Sequence, residues 1–292
     1  MGVADADSKN TDSGLCPNGA EDFSEIRNGK KRMALSTAAL VGATGGAGTT
    51  RTCLELANAL AAGGDDVAVL DTAYDTQGLA RHLPGRIDPD ATTLVTDGSD
   101  RPLSAGTIEY DPDPDRAALD AEALPEPGRI VCLPARAPFE RLARAKAPEA
   151  AQELEQRITA AATAFDRVLI DTPPLGSNPA VAAVTAAERV AVVAPATERG
   201  VDAVQTIRGR LQDVGTNADA VLATDRAGTG AFPEADADAI LPQFDGEAPA
   251  GLETEAGVDA LAAAADVVLG RELDFPLAED GLVAAVESLR EN

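Results

Sequence analysis

The feature that most restricts the fold is a series of short, almost unbroken apolar runs: Ala38–Val41, Asp66–Leu70, Arg129–Leu133, Arg167–Ile170, Arg189–Ala194, Ala218–Ala223 and Ala237–Leu241. A strand with one wet face alternates apolar and polar residues. A strand covered on both faces has no need to, so these runs read as strands of a sheet buried on both sides. Between several of them the period becomes helical. Cys53, Leu56, Ala57 and Leu60 recur at helix spacing until Gly63-Gly64 stops the pattern. Leu154, Ile158, Ala161 and Phe165 repeat it, as do Val204, Ile207, Leu211 and Val214. Strands alternating with helices imply crossover connections, so the fold class is α/β, a mostly parallel sheet with helices on both faces.

Two stretches break this rhythm. Residues 84–127, rich in Pro, Asp and Gly, read as a loop-rich insertion with a short helix, and residues 225–236 as a second loop. A last helix is expected at about Leu282–Leu289. Residues 1–32 carry Asp, Ser, Asn and Gly without periodicity. They read as a disordered N-terminal tail, or as the result of a misassigned start, because Met33 is the only other methionine. Residues 33–292 then form one domain.

Composition enters through the core and the charge. Aromatic residues are 3% and Trp is absent, so Ala, Val and Leu must fill the interior. The formal net charge is −25, from 49 acidic and 24 basic residues, and Lys9, Lys30, Lys31 and Lys146 are the only lysines. Such a balance resembles halophilic proteins, which work where the Debye length is about 3 Å and self-repulsion is screened. The charge is therefore read as a solubility adaptation; it neither excludes nucleic acid nor supports it. Cys16, Cys53 and Cys132 form no C-x-x-C and suggest no disulfide framework or metal site. No apolar run reaches the roughly 18 residues of a membrane span, and no signal-peptide pattern is visible. The expected location is cytoplasmic.

Chemistry is concentrated in Val41-Gly42-Ala43-Thr44-Gly45-Gly46-Ala47-Gly48-Thr49-Thr50-Arg51, which follows a strand and opens a helix. Glycines there let backbone N–H groups turn toward an anion, and the helix N-terminus adds positive potential. Gly42, Gly45 and Gly48 also fit a dinucleotide-binding loop, with Asp71 as the ribose acceptor. Neither Tyr74 nor Tyr110 has Lys four residues on, so the Tyr-x-x-x-Lys chemistry of short-chain dehydrogenases is missing. A dinucleotide-binding Rossmann protein remains a distant alternative.

From Met33 to about Leu273 the chain resembles the ParA/MinD family of deviant Walker-A P-loop ATPases. Thr44-Gly45-Gly46-Ala47-Gly48-Thr49-Thr50-Arg51 stands where that family writes K-G-G-x-G-K-T-T. Val67–Leu83 is similar to its D-x-D switch segment, Arg129–Ala135 to a following strand, and Phe165–Pro174 (FDRVLIDTPP) to its Walker-B strand. The resemblance implies a loop of Gly45, Gly46, Ala47, Gly48, Thr49, Thr50 and Arg51 around ATP, with Mg²⁺ held by Thr50 and Asp171. It also implies Asp71 and Asp75 as weak candidates for a catalytic carboxylate.

The departures are equally specific. Both loop lysines of the family are replaced, by Thr44 and Thr49, and the second switch carboxylate by Ala73. The family's base-reading Asn has Thr224-Asp225 in its place. The resemblance thus implies a nucleotide-binding switch protein in chromosome or plasmid partitioning or intracellular positioning, with weak ATP binding and weak or absent hydrolysis. A non-hydrolysing scaffold on the same fold is the alternative. Expected partners are a second copy, a related ATPase or an unidentified protein. Arg136, Arg141, Arg144 and Lys146, one basic stretch in an acidic chain, are a candidate docking patch; Arg141 and Arg144, three apart, share a helix face.

Overall fold

A computed structural model describes residues 36–97, 100–111, 118–226, 228 and 236–278. All of these belong to the unit that begins at Met33. The tail 1–32 and the helix expected near residue 285 lie outside the described residues, as does most of the loop 225–236.

The apolar runs form strands: β1 (Thr37–Gly42), β2 (Val67–Asp71), β4 (Ile130–Leu133), β5 (Arg167–Thr172), β6 (Arg189–Pro195), β7 (Ala220–Asp225) and β8 (Ala239–Pro242). An eighth, β3 (Ile108–Glu109), lies in the segment expected to be loop. The sheet order is β3-β4-β2-β5-β1-β6-β7-β8. Every pairing is parallel except β3 with β4. At two residues β3 carries no periodicity to detect, and it caps the sheet edge that β4 would otherwise expose.

Among the described residues, seven helices connect and cover the strands: α1 (Thr49–Ala62), α2 (Ala91–Thr96), α3 (Phe139–Ala145), α4 (Pro148–Ala164), α5 (Asn178–Ala186), α6 (Glu198–Asp213) and α7 (Glu255–Leu269). Two separate cores result. Ala38 and Leu40 of β1 face the core under α1 and α7, while Ala39 and Val41 face the core under α4, α5 and α6. The central strands thus bury both of their faces, which accounts for the unbroken apolar runs. The α7 sequence, EAGVDALAAAADVVL, is apolar almost all round, and its alanines blur the helical period that marks α1, α4 and α6.

The topology brings the chemistry to one edge. β1 lies between β5 and β6, and the glycine-rich turn leaves its carboxyl end. Asp71 and Asp171 stand side by side in the β2–β5 register at the same end of the sheet. In open α/β sheets, ligands sit in the crevice beyond the carboxyl ends of the strands.

Candidate functional site

The turn Ala43–Gly48 is held by few bonds of its own. The Ala43 N–H donates to the Val193 carbonyl (2.8 Å) and the Ala47 N–H to the Thr44 carbonyl (3.2 Å). Gly48, the residue before α1, has φ 94°, a left-handed conformation that glycine adopts without strain. The amides of Gly46, Gly48, Thr49 and Thr50 have no carbonyl partner among the described residues. They border a cleft of about 580 Å³ at the positive end of α1. No acidic side chain occupies the first turn of α1 to claim those amides.

Thr50 donates its hydroxyl to Asp171 Oδ2 at 2.5 Å. The two residues that resemblance assigns to Mg²⁺ therefore meet, although 121 positions separate them. Burial pushes Asp171 up to about 6, against the Thr50 hydrogen bond, which lowers it. Asp71 is raised too, first by burial and then by the Asp171 charge beside it. The Asp171 carboxylate and the Thr50 hydroxyl form an oxygen-only donor pair, which suits a hard cation. The residues present therefore fit Mg²⁺.

The switch carboxylates have separate jobs. Asp71 is 1% exposed. Its Oδ1 accepts the Ala73 N–H (2.8 Å) and its Oδ2 the Ala135 N–H (3.4 Å). It thus ties the segment after β2 to the turn after β4 and does not line the cleft. Ala73 does line the cleft, with no carboxylate to offer. Asp75 reaches the cleft wall as well, but both its oxygens accept from Lys146 Nζ, at 2.5 and 2.6 Å.

The loop cation and the basic stretch need correction. Arg51 borders the cleft, but two of its donors are engaged elsewhere: its Nε donates to Glu55 (3.1 Å), its Nη1 to the Gly246 carbonyl (3.1 Å), and its guanidinium lies 5.8 Å from the Phe244 ring centroid. Glu55 is fully buried and accepts the Ala250 and Gly251 amides, so Arg51 is held as its counter-ion. In the basic stretch, Arg141 bonds Asp90 (2.8 Å), Arg144 bonds Asp97 (2.5 and 3.0 Å), and Lys146 bonds Asp75. Arg136 is exposed, but its backbone N–H also serves Asp90. The acids that neutralise the stretch come from α2, its cap and the switch segment. Distant in sequence, they hold Arg141, Arg144 and Lys146 in internal ion pairs, so the stretch is not the continuous cationic face expected.

Thr44 is exposed at the loop tip. The Thr49 hydroxyl folds back toward β1, 2.8 Å from where a Cβ on Gly42 would sit. A second cavity of about 350 Å³ adjoins the cleft, walled by Thr224, Gln243 and Phe244 and sharing Gly48, Arg51 and Arg226 with it. The Thr224 hydroxyl donates to the Ala47 carbonyl at 3.0 Å, which pins the end of β7 to the loop. Arg226, Gln243 and Phe244 escape the motif reading. The signal for Arg226 is its place one residue beyond a strand that ends at the crevice, next to the Thr224-Asp225 pair considered above.

No protein-family model and no curated protein matches the sequence. Solved structures match at low identity. The septum site-determining protein MinD complexed with Mg-ADP, from Pyrococcus horikoshii OT3, is 17% identical over 79% of this chain and 94% of that one, with TM-score 0.59. A ParA family ATPase from Chlorobium tepidum TLS is 16% identical over 79% and 92%, with TM-score 0.57. A chain of the MinC:MinD cell division protein complex from Aquifex aeolicus is 16% identical over 82% and 98%, with TM-score 0.58. The fold is thus that of MinD and ParA P-loop ATPases. Among the described residues, no helix is long and apolar enough to cross a membrane.

Proposed function

We propose that this chain, with its MinD/ParA-type P-loop fold, is a nucleotide-binding switch protein that binds adenine nucleotide with Mg²⁺ and hydrolyses ATP slowly or not at all. The observation that carries this reading is the Thr50–Asp171 hydrogen bond at the mouth of a loop whose amides are free. The loop amides would hold phosphate oxygens, and the second cavity, with Phe244 on its wall, would take the base. Thr50 and Asp171 would hold Mg²⁺, which supplies neutralising charge to the phosphates. Ala73 faces the cleft where the resemblance implies a carboxylate that acts in hydrolysis, and Asp75 is engaged by Lys146. Asp171, the remaining carboxylate of the cleft, is the one assigned to Mg²⁺, so the reading separates binding from turnover.

Such a protein would act by adopting different partners in different nucleotide states, in positioning or partitioning. The Aquifex aeolicus structure is named as a complex of MinC with MinD; a protein partner, a second copy or a competent related ATPase is the corresponding proposal here. The alternative, a scaffold that binds no nucleotide, is favoured by one observation: the loop brings no lysine to the cleft, because Thr44 and Thr49 are neutral, and its one arginine, Arg51, is paired with Glu55. Titration of the purified chain with Mg-ATP and Mg-ADP in molar KCl, with phosphate release followed in parallel, separates the two. Binding without turnover supports the switch reading. No binding of either nucleotide leaves the scaffold, and turnover at about 1 s⁻¹ or faster, ordinary for enzymes, contradicts the loss of hydrolysis.

A further inference from the structure

We propose that Arg226, from the end of β7, supplies the phosphate-binding cation that the glycine-rich loop lacks, and that it contacts the α- and β-phosphates shared by ADP and ATP. This deepens the nucleotide-binding reading and rests on it. The guanidinium lies directly on Gly48: a Cβ placed there would sit 2.7 Å from one terminal nitrogen and 3.7 Å from Cζ. Gly48 leaves room for that approach, while its positive φ is what calls for glycine. Arg226 is exposed and makes no hydrogen bond or ion pair with any described residue. Arg51, Arg141, Arg144 and Lys146 are each committed to an acid.

In a chain with a net charge of −25, an arginine held over four free amides and left without an acid marks a place where an anion is wanted. Its planar fork of donors matches two phosphate oxygens at once. The position is set by the fold, because Thr224, two residues earlier, is bonded to the loop at Ala47. Arg226 borders both cavities, the one at the loop and the one at Phe244. It therefore stands at their junction, where the phosphates nearest the nucleoside would pass. Arg81, the other arginine of the cleft, borders the loop side alone and donates to the Thr76 carbonyl at 3.4 Å.

The test is calorimetric titration of Mg-ADP and Mg-ATP into the parent chain, Arg226→Ala, Arg226→Lys and Arg199→Ala, in the same molar KCl. Arg199 is an exposed residue of α6 that lines neither cavity, so it controls for the loss of one charge. Equal melting temperatures establish that the variants are folded. Arg226→Ala should weaken both nucleotides by the same factor, about ten- to a hundredfold. Arg226→Lys should recover part of the loss, and Arg199→Ala should bind as the parent does. If the parent binds and Arg226→Ala binds equally well, this inference falls while the nucleotide reading stands. If ATP is weakened tenfold more than ADP, the cation serves the terminal phosphate and the assignment to the α- and β-phosphates is wrong. If the parent binds neither nucleotide, both readings fall.

Discussion

Thr49→Lys returns to the loop the side chain whose absence separates it from the P-loop pattern, and its effect can be bounded. A P-loop lysine reaches the β- and γ-phosphates, and a charge-assisted hydrogen bond is worth about 1.5–3 kcal/mol. That corresponds to about ten- to 150-fold in affinity. Two observations reduce it. Thr44, Gly45 and Gly46 are exposed, so the site is wet, and at molar salt the Debye length is about 3 Å. The lower part of the range, about ten- to thirtyfold, is therefore expected for Mg-ATP, with a smaller gain for Mg-ADP. The substitution removes only a half-buried hydroxyl that packs toward Gly42. Lysine is also a better helix former than threonine, so stability should change by less than about 0.5 kcal/mol. Turnover should stay near zero, since Ala73 still brings no carboxylate to the cleft. Calorimetry on parent and variant side by side measures the gain. A folded variant that binds Mg-ATP no better than its starting protein, both in a binding parent and in the Arg226→Ala background, would refute the idea that this turn cradles phosphates.

Asp65→Ala should lower the melting temperature by about 6–15 °C. Asp65 is 2% exposed between Arg167 (3.4 Å) and Arg271 (2.8 Å), and stripping the partner from a buried cation costs about 3–5 kcal/mol. The loss should persist in molar KCl, because buried pairs are poorly screened; a change below about 2 °C contradicts it. Asp90 is raised by burial, but hydrogen bonds from Thr93, the Arg136 amide and Thr92 outweigh that and leave its carboxyl below the usual range. Its contribution is therefore complete above the unfolded pKa, near 4, and is lost as pH falls through the folded value. Asp90→Asn should be less stable than the parent at pH 7, with the difference shrinking below about pH 4 in thermal melts. Dilution from molar to 0.1 M KCl should lower the melting temperature, because the Debye length grows to about 10 Å around 49 acidic residues; identical melts would remove the salt-adapted reading.

The strands were legible because burial on both faces leaves an unbroken apolar run, and the Thr50–Asp171 meeting was legible because the strand–turn–helix order and the FDRVLIDTPP run each place one end of it. What escaped has physical reasons. β3 is two residues long and shows no period, and α7 puts alanine at each of residues 262–265, which mark neither face of the helix. Asp71 looked like a cleft acid because it ends a strand, but its carboxylate caps the next turn at Ala73 and also takes the Ala135 amide after β4. The basic stretch misled because sequence shows clustered cations and hides the acids that fold brings to them: Asp75 lies 71 residues from Lys146, and Asp90 lies 51 from Arg141. Arg226 carries no motif at all, and only the approach of its guanidinium to Gly48 in the folded chain places it over the loop.

The neutrality of position 49 is more than a by-product of lysine depletion. Arginine provides most of the basic residues of this chain, and an arginine could stand at 49 without changing its composition. Threonine stands there instead, beside a Gly48 already covered by the Arg226 guanidinium. A second cation rooted at 49 would enter a space whose phosphate oxygens are partly claimed, and two like charges a few ångströms apart repel. The two positions should therefore be coupled. Thr49→Lys should strengthen Mg-ATP binding more in the Arg226→Ala background than in the parent, by more than the roughly 0.5 kcal/mol within which independent sites add. A double-mutant cycle on Mg-ATP affinity, with all four proteins in one buffer, measures the coupling directly. Additivity within that margin would mean that the two side chains serve separate oxygens, and that threonine at 49 owes nothing to Arg226.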